Sequence, residues 1–296
     1  INANGQVVIS NPNGVTFGKG SEVNAAAIVA TTLNIADKDF MDGKSTYKGG
    51  AQGAVVNQGK IITRDPKGYI ALLAPEVRNE GYILARGGVA NTVALASGSQ
   101  VTLDFRGDQL ITVKVDASVY KSLIENKRLV QVDGGTVVIA ANSAAQLMGS
   151  VIRNSGRIST SSMVNNGGVI EIVAGTVVNS GALSASAKGA VGDGGKITIK
   201  GDQIELTDTS KIKANAKTAG NGGKVVIYSQ EKTVAAGRIE AKGGESQGAG
   251  GFVETSSAKI LTLASSLLVD TSAKFGPAGT WLLDPMDLII NNSFAQ

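Results

Sequence analysis

Three groups of residues have the types and spacing that chemistry would need. An acidic run at residues 37–43 resembles a calcium loop, and a glycine-rich stretch at residues 191–197 resembles a phosphate-binding loop. A third group could act as acid and base in a polysaccharide-cleaving β-helix. Its members are the carboxylates Glu171, Asp202, Glu205 and Asp208.

Neither loop motif is complete. In the acidic run, Asp37-Lys38-Asp39-Phe40-Met41-Asp42-Gly43, the third ligand falls one place late, and Lys48 stands at the twelfth position, where a calcium loop has Glu. In the glycine-rich stretch, Ala190 replaces the first P-loop glycine and Ile197 replaces the Ser or Thr that binds Mg²⁺. We therefore interpret the first motif as a solvated loop and the second as a corner between strands.

The carboxylates and the composition argue against an enzyme. The four acidic residues are scattered, and aromatic residues, which usually line sugar subsites, make up only 4% of the chain. Cysteine and histidine are both absent, which excludes a thiol nucleophile, a Ser-His-Asp triad and a His/Cys zinc site. We predict a non-enzymatic protein with no cofactor, no catalytic residues and no metal site.

Charge and hydropathy restrict the partners and the location. The formal net charge is +4, from 28 basic and 24 acidic residues that are spread along the chain. No block of Lys and Arg has interleaved aromatic residues, so nucleic acid is not an expected partner. No stretch approaches the roughly 18 apolar residues of a membrane helix. Residues 1–5 lack the features of a signal peptide, so we expect either a cytosolic protein or a piece whose leading segment was removed.

The elements that must position these residues follow an internal repeat. A Gly-Gly pair precedes alternating β-branched residues five times, beginning at Gly134, Gly167, Gly194, Gly222 and Gly250. Successive first glycines are 33, 27, 28 and 28 residues apart. A spacing close to 28 with irregular steps is typical of single solenoid coils whose loops vary in length.

A second signature is interleaved with the first. It places Asn two residues before Gly, with an apolar residue two places further on, and its Asn residues are Asn57, Asn79, Asn154 and Asn179. Asn and Gly tolerate positive φ, which predicts a corner between two strands at each copy. Corners stacked on one another would align the Asn side chains in a ladder.

Both signatures predict an all-β fold, a right-handed parallel β-helix in which each coil pairs with the coils above and below. A rise of about 4.8 Å per coil and roughly 25 to 28 residues per coil give on the order of ten coils and a rod near 50 Å long. Inward positions should form aliphatic columns. These positions include Val137, Ile139, Ile197, Ile199, Val225 and Ile227.

One segment interrupts the repeat. Residues 101–105 and 110–115 alternate as two strands joined by Arg106-Gly107-Asp108, which predicts a hairpin. Between Ala117 and Arg128, helical spacing relates Tyr120, Leu123, Ile124 and Lys127. We predict an extra-helical insertion near 101–128, made of this hairpin and a short helix, that covers part of the coil face.

The first twenty residues carry the most specific motif. They include Asn2-Ala3-Asn4-Gly5-Gln6-Val7-Val8-Ile9-Ser10, followed by Asn11-Pro12-Asn13-Gly14 and by Val15-Thr16-Phe17-Gly18-Lys19-Gly20. Asn, Pro, Asn and Gly are the preferred residues at the four positions of a type I turn. The whole segment closely resembles the secretion domain of two-partner secretion exoproteins of the filamentous-haemagglutinin and high-molecular-weight adhesin type, whose hallmark is this turn.

The resemblance covers nearly the whole chain. It continues through residues 23–24, 30–35 and 69–81, and residues 251–256 and 279–285 look like the coils that follow the secretion domain in large adhesins. It implies that residues 1–130 are the secretion-targeting part and that residues 131–296 continue the β-helix as a shaft. Family members also have a signal peptide and N-terminal strands that cap the first coil, and we expect this chain to lack both.

The resemblance implies a mechanism of export. Such proteins cross the inner membrane unfolded, are recognised by the periplasmic POTRA domains of an outer-membrane β-barrel transporter, and fold at the cell surface. The resemblance implies that Asn11, Pro12, Asn13 and Gly14 form the turn that this transporter recognises. The product would be a monomeric, secreted adhesin and virulence factor whose distal parts bind a host receptor or glycan.

Two other activities stay open. A related exoprotein could capture a haem carrier, and the parts that would distinguish it lie beyond Gln296. The chain could also be the front end of a haemolysin or of a contact-dependent inhibition toxin. Those proteins usually carry a cysteine pair shortly after the Asn-Pro-Asn-Gly turn, and this sequence has no cysteine.

Overall fold

Nearly all of the regular structure is β-strand. The structure, a computed structural model, describes residues 1–42, 45–49, 53–107, 109–118, 122–144, 149–164 and 166–286. Within those ranges there is one helix, α1 (Asp37–Met41), and its residues are exposed or half-exposed. The strands before residue 160 are β1 (Gln6–Ser10), β2 (Val15–Phe17), β3 (Glu22–Asn24), β4 (Ala27–Thr31), β5 (Thr46–Lys48), β6 (Ala54–Asn57), β7 (Lys60–Thr63), β8 (Tyr69–Leu73), β9 (Glu76–Asn79), β10 (Tyr82–Ala85), β11 (Thr92–Ser97), β12 (Gln100–Arg106), β13 (Gln109–Asp116), β14 (Ser122–Asn126), β15 (Leu129–Val132), β16 (Thr136–Ala141), β17 (Ser150–Asn154) and β18 (Arg157–Ser159).

The remaining strands include three long ones that each run through two positions of a coil. In chain order these strands are β19 (Val169–Asn179), β20 (Ala182–Ser184), β21 (Lys196–Leu206), β22 (Lys211–Lys213), β23 (Lys224–Ala235), β24 (Arg238–Glu240), β25 (Phe252–Ser257), β26 (Ile260–Leu263), β27 (Leu268–Asp270) and β28 (Thr280–Leu282). The long strand β19, for example, pairs with β16 through its first half and with β17 through its second half.

The strands stack in parallel as a β-helix, which confirms the predicted fold. A 16-stranded sheet supplies two strand positions of each coil, and a nine-stranded sheet, from β3 to β27, supplies the third. One register relation passes through ten levels of the first position. Its residues are Val7, Ile28, Ile70, Val93, Val137, Ile170, Ile197, Val225, Val253 and Trp281.

This column lies at the centre of one hydrophobic core. Its members from Ile28 to Val253 are fully buried. The core continues from Val15 to Val253 through every coil between them. The six positions predicted to face inward, from Val137 to Ile227, all belong to this core, so the alternation of β-branched residues identified the inner face correctly.

The Gly-Gly corners are fixed by close approach of backbones. A Cβ built on Gly195 would lie 2.1 Å from the carbonyl oxygen of Gly168 in the coil below, and one on Gly223 would lie 2.1 Å from that of Gly195. No side chain fits at such distances. Glycine therefore recurs at this place in each coil because the backbones of successive coils are in direct contact there.

The Asn signature forms the expected ladder. The buried amides of Asn57, Asn79, Asn126, Asn154 and Asn179 donate hydrogen bonds upward at 2.7 to 2.8 Å, and the last one donates to Ser210 at 2.6 Å. The sequence analysis attributed the Asn-x-Gly pattern to positive φ, and that explanation was wrong. The glycines that follow Asn57, Asn79, Asn154 and Asn179 are not among the residues with positive φ. They are glycines because a Cβ would contact the backbone of the adjacent coil, as Gly81 would contact Gly59 at 2.2 Å.

The predicted hairpin lies outside the coils. Strands β12 and β13 pair antiparallel, and β12 also pairs with β5, which comes from an earlier coil. This three-stranded sheet covers the outer face of β4, β8 and β11 with a second apolar cluster that includes Tyr47, Leu103 and Leu110. Asp108, in the predicted turn between the hairpin strands, is outside the described residues.

The short helix predicted between Ala117 and Arg128 is wrong where the structure describes that segment. Residues 122–126 form β14, which pairs in parallel with β9 and β17 as an ordinary coil strand. Ile124 is buried in the core and Asn126 is a member of the ladder. Pairing with the coils above and below overrides the local helical spacing. Tyr120 is outside the described residues.

In the part of the chain that the structure describes, no helix is long and apolar enough to cross a membrane.

Candidate functional site

The Asn-Pro-Asn-Gly segment is a closed and exposed turn at the first coil. The Gly14 N–H donates to the Asn11 carbonyl at 3.0 Å, and the Asn13 N–H donates to the Asn11 side-chain oxygen at 3.1 Å. Asn11, Pro12 and Asn13 are exposed, and Gly14 has a φ of +129°. The sequence therefore predicted the turn correctly, and its first three side chains project into solvent.

Contacts with the second coil hold this turn in place. The Asn11 N–H donates to the Thr31 carbonyl at 3.0 Å. On the other side of the turn, Gly53 lies close to its backbone. A Cβ built on Gly53 would lie 2.6 Å from the Asn13 carbonyl carbon and 2.6 Å from the Gly14 nitrogen. The turn is thus fixed to the folded rod by backbone contacts, while its amide side chains remain available to a partner.

The first coil lies at one end of the 16-stranded sheet. Among the described residues, β1 pairs with β4 and β2 pairs with β6, and no other described strand pairs with either. The third strand differs, because residues 1–3 bond to its outer edge through Asn24.

The candidate carboxylates are only partly brought together. Glu171 on β19 and Asp202 on β21 line one groove of about 950 Å³, together with the cations Arg153 and Lys200. Glu205 and Asp208 do not line it, and Asp208 instead accepts a hydrogen bond from Ser266. In the part of the chain that the structure describes, no three acidic side chains form a group that could hold a metal.

The two loop motifs have structural roles. The acidic run forms the short helix α1 rather than the predicted solvated loop, and its last residue, Gly43, is outside the described residues. The glycine-rich stretch is a coil corner, as predicted. The Asp193 side chain accepts the Asn221 N–H at 2.6 Å in this corner. Asn221 in turn accepts the Ala249 N–H at 2.9 Å, so the acidic group belongs to an external ladder.

An aromatic pocket under the extra-helical sheet was not found from the sequence. Tyr47, Tyr69, Phe105 and Phe40 line a space of about 490 Å³ between α1 and the hairpin. Burial raises the pKa of Tyr47 to about 12, and burial together with the neighbouring Tyr47 raises the pKa of Tyr69. Both phenols therefore stay neutral near pH 7. The available signal was the uninterrupted apolar run of β8, which indicates a strand covered on both faces.

Comparisons with known proteins agree with the fold described above. The family model described as TPS secretion domain matches residues 1–185. The crystal structure of the HMW1 secretion domain from Haemophilus influenzae matches with a TM-score of 0.70 at 23% identity, over 95% of this chain and 80% of that one. The β-helix is therefore a fold that this chain shares with a solved secretion domain.

Two curated relatives are similar over shorter stretches. The heme/hemopexin-binding protein of Haemophilus influenzae is 29% identical over 154 residues, which are 50% of this chain and 16% of that protein. Filamentous hemagglutinin of Bordetella pertussis is 28% identical over 194 residues, which are 60% of this chain and 5% of that protein. The chain thus spans a small fraction of the length of either relative.

Proposed function

Because the chain belongs to the TPS secretion domain family, we propose that the Asn11–Gly14 turn and the extended segment beside it, Gln6–Ser10, are what the outer-membrane transporter recognises. Family membership makes the chain part of an exoprotein that is exported to the cell surface by two-partner secretion, with an outer-membrane transporter as its partner. Neither curated relative is named as an enzyme.

The observation that carries the proposal is that the turn is closed by hydrogen bonds within Asn11–Gly14, so that it can form before the coils stack, and that its side chains are exposed. A buried turn would be a structural corner only, but the side chains of Asn11, Pro12 and Asn13 contact solvent. Two of them are amides that can donate and accept hydrogen bonds. Before the coils stack, the extended segment next to the turn can add as a strand to a sheet edge of the periplasmic POTRA domains of the transporter.

Removing the two amides of the turn is expected to reduce secretion. In the double variant Asn11→Ala and Asn13→Ala, the loss of about 1 kcal/mol per side-chain contact would weaken recognition roughly 30-fold. The measurement compares the amount of the chain in the medium with the amount in the periplasm of cells that co-express the cognate transporter.

The control is Asn142→Ala, which removes an exposed Asn far from the first coil whose amide likewise makes one hydrogen bond, to the Val115 carbonyl at 3.0 Å. Purified chains of each variant are also refolded from urea, because Asn11 stabilises its own turn through the Asn13 N–H. Normal secretion of the double variant would remove the turn from the recognition site. Reduced secretion together with a lowered urea midpoint would assign the defect to folding.

Beyond export, we propose that the whole exoprotein is an adhesin of the haemagglutinin type, with residues 1–130 for targeting and 131–296 as the start of its shaft. The name of one relative supports this activity, and the name of the other supports binding of haem or hemopexin equally well. The test is made on the full-length exoprotein: cells that display it should agglutinate erythrocytes. Binding of hemopexin without agglutination would favour the alternative.

A further inference from the structure

The aromatic pocket lies where α1 and the extra-helical sheet cover the outer face of the first coils. Tyr47 of β5 and Tyr69 of β8 are only 2% and 4% exposed, whereas Phe40 of α1 is 49% exposed. The Tyr69 ring packs against Phe105 of the hairpin, with 5.1 Å between the ring centroids and 55° between the ring planes. The two tyrosines therefore form the interior of the pocket, and Phe40 lies at its mouth.

A small residue in the second coil leaves this space open. Ala27 lies between Gln6 in the coil below and Tyr69 in the coil above, because Gln6 pairs with Ala27 and Ile28 pairs with Ile70. Since Ala27 has one methyl group where Tyr69 has a ring, a space of about 490 Å³ remains beside that ring. Pockets of roughly 300 to 1,000 Å³ are the usual size for small-molecule sites.

The phenol groups inside the pocket have no hydrogen-bond partner. Among the described residues, the tyrosine hydroxyl that forms a hydrogen bond is that of Tyr82, with Arg128 at 2.7 Å. The hydroxyls of Tyr47 and Tyr69 form none, and neither oxygen is closed off from the pocket. The phenols lie close together, because Tyr47 raises the pKa of Tyr69. Two adjacent polar groups are thus left for a bound molecule to satisfy.

The lining also restricts the charge of a ligand. Its charged members among the described residues are Asp65 and Lys67, one of each sign, and both are exposed at the rim. The Asp65 carboxylate already accepts the Lys67 N–H at 2.9 Å. The interior consists of aromatic rings and of two phenols that burial keeps neutral, because it raises the pKa of each. The pocket therefore has no interior charge that would pair with an ion.

Aromatic walls favour a flat apolar molecule, and a neutral phenol can both donate and accept a hydrogen bond. We propose that the aromatic pocket binds a small, uncharged, planar molecule whose hydroxyl group is hydrogen-bonded by Tyr47 and Tyr69. This activity goes beyond export and belongs to the folded chain.

Binding is tested with 2-naphthol and with naphthalene, which has the same rings and no hydroxyl. The purified folded chain is dialysed to equilibrium against each compound at pH 7, and the fluorescence of the rings gives the amount bound. The parent chain is expected to bind 2-naphthol at least about tenfold more tightly than naphthalene, because only the hydroxyl can pair with the phenols. The transporter is absent, so this result and the secretion result can fail separately.

The double variant Tyr47→Phe and Tyr69→Phe keeps both rings and removes both hydroxyls. Its affinity for 2-naphthol should fall to within about twofold of its affinity for naphthalene, which should itself stay within about twofold of the parent value. The urea midpoint should not fall, because these hydroxyls form no hydrogen bond with described residues. The matched control is Tyr228→Phe, at a half-buried tyrosine in a later coil, which should change neither affinity.

Phe40→Ala tests whether both probes occupy the pocket. The ring of Phe40 is at the mouth and half of it is exposed, so its removal should leave the fold intact. Both probes should then bind more weakly by about two- to tenfold, as expected for the loss of one aromatic contact, and the preference for 2-naphthol should remain.

Three results would overturn the assignment. The first is no binding of 2-naphthol at millimolar concentration, which would make the pocket a site for water only. The second is an unchanged preference for 2-naphthol in the double tyrosine variant. The third is displacement of 2-naphthol by a lower concentration of tetramethylammonium, which would identify the rings as a site for a cation.

Discussion

Replacing Gly223 with alanine is expected to destabilise the rod by more than about 3 kcal/mol, because the new methyl group has no space and its neighbours cannot move. The added Cβ would lie 2.1 Å from the Gly195 carbonyl oxygen. That oxygen already accepts the N–H of Lys224 at 2.9 Å, so it cannot withdraw without breaking the ladder. The loss is measured as the urea midpoint followed by far-ultraviolet circular dichroism.

Gly18→Ala is the matched control for this experiment. No heavy atom lies within 4 Å of a Cβ built on Gly18, and its φ is outside the left-handed region. Its free energy of unfolding should change by less than about 0.5 kcal/mol. If Gly223→Ala and Gly18→Ala unfold at the same urea concentration, the coils are spaced more widely at the Gly-Gly corners than the structure has them.

The sequence predicted the parts of the fold that repeat at each coil. Gly-Gly pairs and alternating β-branched residues recur with nearly constant spacing, so the column through Ile197 and Val225 could be identified without knowledge of its partners. The Asn ladder was predicted for the same reason. Its backbone explanation failed because close approach between coils is a property of pairs of segments, and the sequence near Gly81 does not show what lies below it.

Features that depend on a single coil were harder to predict. The residues of β14 have helical spacing, and the ladder residue Asn126 is followed by Arg128 where other copies have Gly, which concealed the repeat. Its strand conformation is determined by contacts with Val77 and Ile152 in other coils. In the extra-helical sheet, the hairpin of β12 and β13 was predicted. The third strand, β5, was missed because it lies more than 50 residues before its partner β12.

The candidate sites differ in the same respect, because a local site could be predicted from the sequence and a site made by several coils could not. The Asn11–Gly14 turn is local, so four consecutive residues were sufficient to predict it. The cations that line two depressions beside the nine-stranded sheet were missed because they are isolated in the sequence, with Arg86 and Lys217 separated by more than one hundred residues. Only the stacking of coils places Arg157 near Lys188. Analysis of charge runs along a chain cannot detect a column that uses one residue in each coil.

A second large effect is expected from the centre of the Asn ladder. Asn126 is 1% exposed; it accepts a hydrogen bond from Asn79 at 2.8 Å and donates one to Asn154 at 2.7 Å. Asn126→Ala leaves a buried donor on one neighbour and a buried acceptor on the other, at a cost of about 2 to 4 kcal/mol. Asn34→Ala, at an exposed position where the structure shows no side-chain hydrogen bond among the described residues, should cost less than about 0.5 kcal/mol in the same urea experiment.

Asn126→Asp tests which side chains of the Asn ladder donate hydrogen bonds and which accept them. An ionised carboxyl at this position can still accept from Asn79, but it faces the side-chain oxygen of Asn154 and the carbonyl of Arg157, which are both acceptors. A protonated carboxyl can donate to Asn154 as the amide does. Burial and the missing donor therefore raise the folded pKa of the introduced group above its unfolded value of about 3.9.

The sign of the pH dependence follows from this raised pKa. Stability from the protonated carboxyl is fully present below about pH 3.9 and is lost as the pH rises through the folded pKa. The difference in urea midpoint between Asn126→Asp and the parent chain should therefore be small near pH 3 and large at pH 7. A difference that does not change with pH would mean that Asn154 and Asn179 can reverse their amides and donate downward to the carboxylate, so that the order of donors and acceptors seen in the ladder is not imposed by the fold.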